Sequence, residues 1–148
     1  MKTIIFVCHG NICRSVAAEF IAKQILKNKN LSNNFNIISR ATSLEEIGND
    51  IYPPMKRELS SRGIPFGRHF AERITQKDYD LADYIFYMND HNKMYLNHLL
   101  NDYKNIIKPI TLFENDLNQI EDPWYTDNFE KVCNQLTDCI EHIFEHIV

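Results

Sequence analysis

The chain opens on "KTIIFV" (2–7), a short β-branched apolar run with the pattern of a strand buried on both faces. A glycine-containing loop follows. Val16, Phe20, Ile21, Ile25 and Leu26 then recur at helical spacing and predict about four turns of helix after Ser15. "FNIIS" (35–39) reads as a second strand, and "PPMKRELSSRG" (53–63) as a helix with prolines at its start and glycine at its stop. "DYIFYM" (83–88) is a third strand, leading into a helix in "NDHNKMYLNHLL" (89–100). "IIKPITLF" (106–113) is a fourth, placed at a sheet edge by Pro109, which has no N–H to donate. After a polar segment holding "EDPWYTDNF" (121–129), one apolar face runs through Phe129, Val132, Cys133, Leu136, Ile140, Ile143, Phe144 and Ile147. It predicts a long amphipathic helix.

Strands alternating with helices imply an α/β fold: one domain over residues 1–148, with a four-stranded parallel twisted sheet flanked by helices on both faces. No internal repeat or low-complexity linker interrupts it. Open parallel sheets bind ligands beyond the carboxyl ends of their strands, where the strand order switches. "CHGNICR" follows the first strand and "EDPWY" the fourth, so both loops are expected on the same rim.

Composition narrows the function classes. A net charge of −4 carries no general nucleic-acid footprint, so an anionic substrate needs a local positive site. No apolar stretch is long enough to cross a bilayer. The start "MKTIIFVCHGN" is short for a signal segment and has no small-residue cleavage site. The expected location is therefore the cytoplasm, though leaderless export leaves no mark in a sequence. Four cysteines make no disulfide scaffold in such a chain, and reduced thiols are expected.

Three readings compete for Cys8 to Ser15. Cys8, His9 and Cys13 are metal-ligand types, but the spacing lacks the two paired sets of a structural zinc site, and Cys133 and Cys139 fall on a regular helix. A permanent disulfide is disfavoured in a reducing compartment. The third reading is an anion cradle. A strand–loop–helix turn aims successive N–H groups into a concavity at a helix N-terminus. Gly10 allows a backbone shape that a β-carbon resists, and Arg14 offers a planar fork for phosphate oxygens. A helix dipole contributes only about 0.3–2 kcal/mol, so the thiolate of Cys8 needs the loop N–H groups and the arginine as well.

"VCHGNICRS" resembles the signature loop of the low-molecular-weight protein tyrosine phosphatases, and "EDPWY" resembles their general-acid loop. The likeness extends through "SRATS", "RGIPFGRHFA" and "DYIFYMNDHN". It implies the fold already read from the pattern, and a hydrolase acting on phosphotyrosine and small aryl phosphates without metal or other cofactor. Residue by residue, the resemblance makes Cys8 the nucleophile, Arg14 the phosphate clamp and Asp122 the general acid and then base. His9, Gly10, Asn11, Ile12, Cys13 and Arg14 form the phosphate-binding loop, Asn11 holding its shape and Ser15 stabilising the Cys8 thiolate. Ser39 and His69 match a supporting hydrogen-bond network around Asn11, and Ile12, Glu45, Trp124 and Tyr125 fall at the substrate slot. Cys13 is a candidate partner for Cys8 in a reversible disulfide; its alternative role is a small residue packed beneath the loop. The expected partners are a phosphotyrosine protein or peptide and a phosphate or sulfate ion in the loop. Nucleic acid and membrane are not expected, and the chain is expected to act as a monomer.

Several positions depart from the family pattern. Val16 replaces a common proline, Glu45 stands near an expected aromatic wall, and Asn89 occupies an acidic position. Relatives acting on phosphoarginine carry threonine where this loop has Ile12, and an isoleucine suits a flat apolar phosphotyrosine ring better. Arsenate reductases of the same fold use further cysteines beyond the third strand, and "MNDHNKMYLNHLL" has none. A module that binds phosphotyrosine without turnover would lack Cys8 or Asp122, and both are present.

Overall fold

A computed structural model describes all 148 residues. The strands are β1 (Lys2–Cys8), β2 (Phe35–Ala41), β3 (Tyr84–Tyr87) and β4 (Ile107–Pro109). The helices are α1 (Arg14–Asn28), α2 (Pro53–Ser61), α3 (Gln76–Leu81), α4 (Asp90–Leu99), α5 (Pro123–Thr126) and α6 (Phe129–Ile147). All strand pairs are parallel, in the order β2-β1-β3-β4. β1 is thus the strand from which the order runs both ways, and its carboxyl end is the switch point where such sheets bind ligands.

Alternation along β1 divides the core. Ile4, Phe6 and Cys8 join the larger apolar cluster with α1, α2 and α6, while Ile5 and Val7 meet Tyr79 of α3 and Leu96 of α4. The sheet therefore carries helices on both faces, as the pattern predicts. Val16, in place of proline, is fully buried in the first turn of α1 and leaves that helix intact.

Three elements differ from the sequence reading; one is α5, four helical residues within the segment read only as polar. β4 ends at Pro109 instead of continuing to Phe113; it is an edge strand, which tolerates the proline, and the chain turns away after Ile110, whose N–H donates to the Tyr87 carbonyl at 2.9 Å. α3 was not predicted. It is too short to show a periodicity, and a capping box between Thr75 and Asp78 starts it while Tyr79 anchors it.

Candidate active site

The loop between β1 and α1 wraps around one sulfur. Cys8 Sγ accepts from the backbone N–H of Asn11 at 3.3 Å and of Ser15 at 3.4 Å, and lies 3.0 Å from Ser15 Oγ. Cys13, the N-cap of α1, offers no side-chain cap, so the Cys8 sulfur takes an N–H of the first helical turn. Asn11 Nδ2 donates to Ser15 Oγ at 2.8 Å, leaving the serine's own proton free to donate to a Cys8 thiolate. These three donors converge on the one sulfur.

Asn11 is fully buried and carries the left-handed backbone (φ 60°) that turns the loop. Asparagine tolerates that region better than most L-residues. The special backbone conformation thus falls on Asn11, not on Gly10. At Gly10 a β-carbon would stand 3.3 Å from Glu46 Cγ, so that side chain would have to give by a few tenths of an ångström. The loop is held from outside by the His69 ring, whose Nε2 donates to the Asn11 carbonyl at 2.7 Å, and by the Glu72 N–H on Asn11 Oδ1 at 3.2 Å. Ser39 is not a partner of Asn11. Its hydroxyl donates to Glu19 of α1 at 2.7 Å, because the β2 register points it toward that helix.

Arg14 is almost fully buried. Nη1 donates to the Ile120 carbonyl at 3.0 Å, Nη2 stands 3.4 Å from Asp122 Oδ2, and the buried Nε has no partner. A buried guanidinium N–H left unpaired is costly, and a bound oxyanion is the group that would satisfy it. Asp122 is the N-cap of α5. Its Oδ1 accepts from the Trp124 N–H at 3.0 Å, and Pro123 follows at the first helical position. Asp122 and Arg14, far apart in sequence, meet because β1 and β4 end on one rim.

The cleft that holds the sulfur is lined by Ile12 of the loop and by Trp124, Tyr125, Glu45 and Glu46. Where an aromatic wall is expected, Glu45 pairs with His9 instead, Nε2 to Oε2 at 3.0 Å. His9 is thereby engaged outward, and no group of three or more His, Cys, Asp or Glu side chains comes together as a metal centre. Cys13 is buried beside the loop; desolvation, and then the neighbouring Cys8, push its thiol far up from the ordinary value. Asn89 caps α4 through its Oδ1 on the Asn92 N–H and does not line the slot.

The family model described as low molecular weight phosphotyrosine protein phosphatase matches residues 3–148. The chain belongs to that family. The human low molecular weight phosphotyrosine protein phosphatase is 38% identical over 97% of this chain and 94% of its own length. The low molecular weight protein-tyrosine-phosphatase YfkJ of Bacillus subtilis is 32% identical, covering 99% of this chain and 96% of its own. The YfkJ crystal structure superimposes with a TM-score of 0.94 at 31% identity over 99% of this chain and 94% of that one. SP-PTP from Streptococcus pyogenes, a low molecular weight protein tyrosine phosphatase, gives 0.87 at 31%, covering 100% and 94%. The chain is accordingly a phosphatase of this family. No helix is long and apolar enough to cross a membrane.

Sequence reasoning missed four supports of the site. Asp50 accepts from the His69 N–H at 2.9 Å and pairs with Lys56 at 2.6 Å, and the Lys56 hydrogen bond with two backbone N–H groups holds its carboxyl well below the usual range. The Ile120 carbonyl and the Glu72 N–H are main-chain groups that no residue type reveals. The fourth is Tyr52, whose N–H donates to the Ile12 carbonyl at 2.9 Å.

Proposed function

We propose that this phosphatase hydrolyses phosphotyrosine, in proteins or peptides, and small aryl phosphates through a phosphocysteine on Cys8. The observation that carries this reading is the convergence on one sulfur of the Asn11 and Ser15 N–H groups and the Ser15 hydroxyl. Arg14 and Asp122 stand paired at the mouth of the same cleft. Phosphate seats in the loop, its oxygens on backbone N–H groups and on Arg14. The Cys8 thiolate attacks phosphorus as the P–O bond to the tyrosyl oxygen breaks, and Asp122 gives its proton to that oxygen. The leaving phenol has a pKa of about 10, so its protonation matters; such acid catalysis is worth about 10²–10⁴-fold. Asp122, now a carboxylate, takes a proton from water as the water oxygen bonds to phosphorus. The S–P bond breaks, the electron pair returns to Cys8, and the Ser15 hydroxyl stabilises the thiolate. The loop dipoles and Arg14 carry the equatorial charge throughout, so these steps need no metal.

Trp124, Tyr125 and Ile12 give the aryl ring an apolar seat, which favours phosphotyrosine over phosphoarginine. The enzyme acts as a monomer in the cytoplasm in this reading. Cys13 guards the nucleophile: peroxide converts the Cys8 thiolate to a sulfenic acid, and the Cys13 sulfur attacks it. An S–S bond forms, the S–O bond breaks and water leaves. The test is hydrolysis of para-nitrophenyl phosphate by the wild type, Cys8→Ser and Asp122→Ala, with phosphoarginine as a parallel substrate. Loss of turnover in Cys8→Ser is expected, and activity surviving there overturns the mechanism. A preference for phosphoarginine overturns the substrate class.

A further inference from the structure

Tyr52 stands between the two loops that must act together. Its backbone N–H donates to the carbonyl of Ile12 in the phosphate loop at 2.9 Å. Its ring lies against the Trp124 ring with centroids 4.6 Å apart, and 6.0 Å from the Phe129 ring at the start of α6. Trp124 in turn donates its backbone N–H to Asp122 Oδ1, and the other carboxylate oxygen faces Arg14. One residue thus touches the nucleophile's loop through its main chain and the acid's loop through its side chain.

The local chain makes Tyr52 a firm post. It precedes Pro53 and Pro54 and is the N-cap of α2, with φ −57° and ψ 130°. A residue before proline is confined to that extended region. Its carbonyl accepts from Met55 and Lys56 in the first turn of α2, and Met55 is fully buried. Trp124, by contrast, is 51% exposed on a helix of four residues, too short to hold itself. The Tyr52 ring supplies support that α5 does not. No hydrogen bond is made by the Tyr52 hydroxyl, so the support is aromatic packing, which in pairs of this geometry exceeds plain burial.

We propose that Tyr52 is a positioning residue for proton transfer: it fixes the Asp122 loop against the phosphate loop, and so sets the distance from the acid to the leaving oxygen. The inference rests on the assignment of Asp122 as general acid. Misplacing an acid by a fraction of its hydrogen-bond reach affects substrates unequally. A phenol as weakly acidic as tyrosine's needs the proton, while para-nitrophenol, a much stronger acid, departs with little help.

The experiment measures kcat/KM for phosphotyrosine and for para-nitrophenyl phosphate in the wild type, Tyr52→Ala, Tyr52→Phe, Asp122→Ala and the Tyr52→Ala/Asp122→Ala double variant. Tyr52→Ala should lose about tenfold on phosphotyrosine and about twofold or less on para-nitrophenyl phosphate. Tyr52→Phe should restore both, and the double variant should match Asp122→Ala, since the two changes act on one step. Trp124 is the chain's single tryptophan, so its fluorescence reads the slot directly. Acrylamide should quench it more readily in Tyr52→Ala and at the wild-type rate in Tyr52→Phe. Equal losses on both substrates, or additive losses in the double variant, overturn the positioning role even if Asp122→Ala behaves as an acid variant. If Asp122→Ala itself shows no leaving-group dependence, the acid assignment falls and this inference with it.

Discussion

Replacing Asn11 by alanine isolates what the loop's shape is worth. The side chain makes two hydrogen bonds, Nδ2 to Ser15 Oγ at 2.8 Å and Oδ1 from the Glu72 N–H at 3.2 Å. Each contributes about 1 kcal/mol net in the folded state. The backbone at φ 60° adds roughly 1–2 kcal/mol of strain once the β-carbon belongs to alanine. The total is about 3–4 kcal/mol. The His69 bond to the Asn11 carbonyl is a main-chain contact that the substitution leaves in place, so the loop is weakened and not released. Carried wholly by catalysis, that loss corresponds to about 10²–10³-fold, and carried wholly by stability it lowers the urea midpoint at unchanged slope. Urea unfolding and kcat/KM, measured with and without saturating inorganic phosphate, divide the two. Phosphate should raise the variant's midpoint more weakly than the wild type's, because part of its binding free energy must reorder the loop. Activity within threefold of wild type, together with an unchanged midpoint, would refute the claim that Asn11 holds the cradle.

Three further outcomes follow from the geometry. Arg14→Lys keeps the charge but loses the fork and the Ile120 contact, so kcat/KM should fall about 10²–10³-fold, read with para-nitrophenyl phosphate. After matched peroxide treatment, thiols should recover more activity in the wild type than in Cys13→Ser, whose Cys8 has no neighbour to stop further oxidation; equal recovery would exclude the guard role. His142 gains a carboxylate partner in Glu114, Nδ1 to Oε2 at 2.6 Å, and that bond raises its pKa above the usual histidine value. Its contribution to stability is therefore complete below the unfolded pKa and is lost as pH rises through the raised one. His142→Gln should melt below the wild type at pH 5 and close to it at pH 9, and a gap that widens with pH would reverse the sign.

What was legible in the sequence was whatever lies contiguously along the chain. β1, the loop and α1 follow one another, so the apolar run, Gly10, Cys8 and Arg14 announced the cradle together. Asp122 was legible through the loop order and the resemblance, since nothing in "EDPWY" by itself says acid. That the left-handed backbone falls on Asn11 was not legible, because a glycine signals backbone freedom whether or not its φ is used. Ser39 entered through the resemblance alone, which does not say which helix side chain its hydroxyl meets, and Glu19 took it. α3 escaped because a single turn and a half has one anchor, Tyr79, and no period. The supports from Asp50, Ile120 and Tyr52 depend on which loops meet in space, and a pair such as Tyr52 and Trp124 has no signature along the chain.

The central claim is that phosphate passes through Cys8. Asp122→Ala mixed rapidly with para-nitrophenyl phosphate, quenched in acid, digested and analysed by mass spectrometry tests it most directly, since removing the base should slow hydrolysis of the intermediate. One phosphoryl group is expected on the peptide carrying Cys8, absent when Cys8 is serine in the same background. Full burst turnover with no phosphoryl group on Cys8, or with one on another residue, would contradict the account.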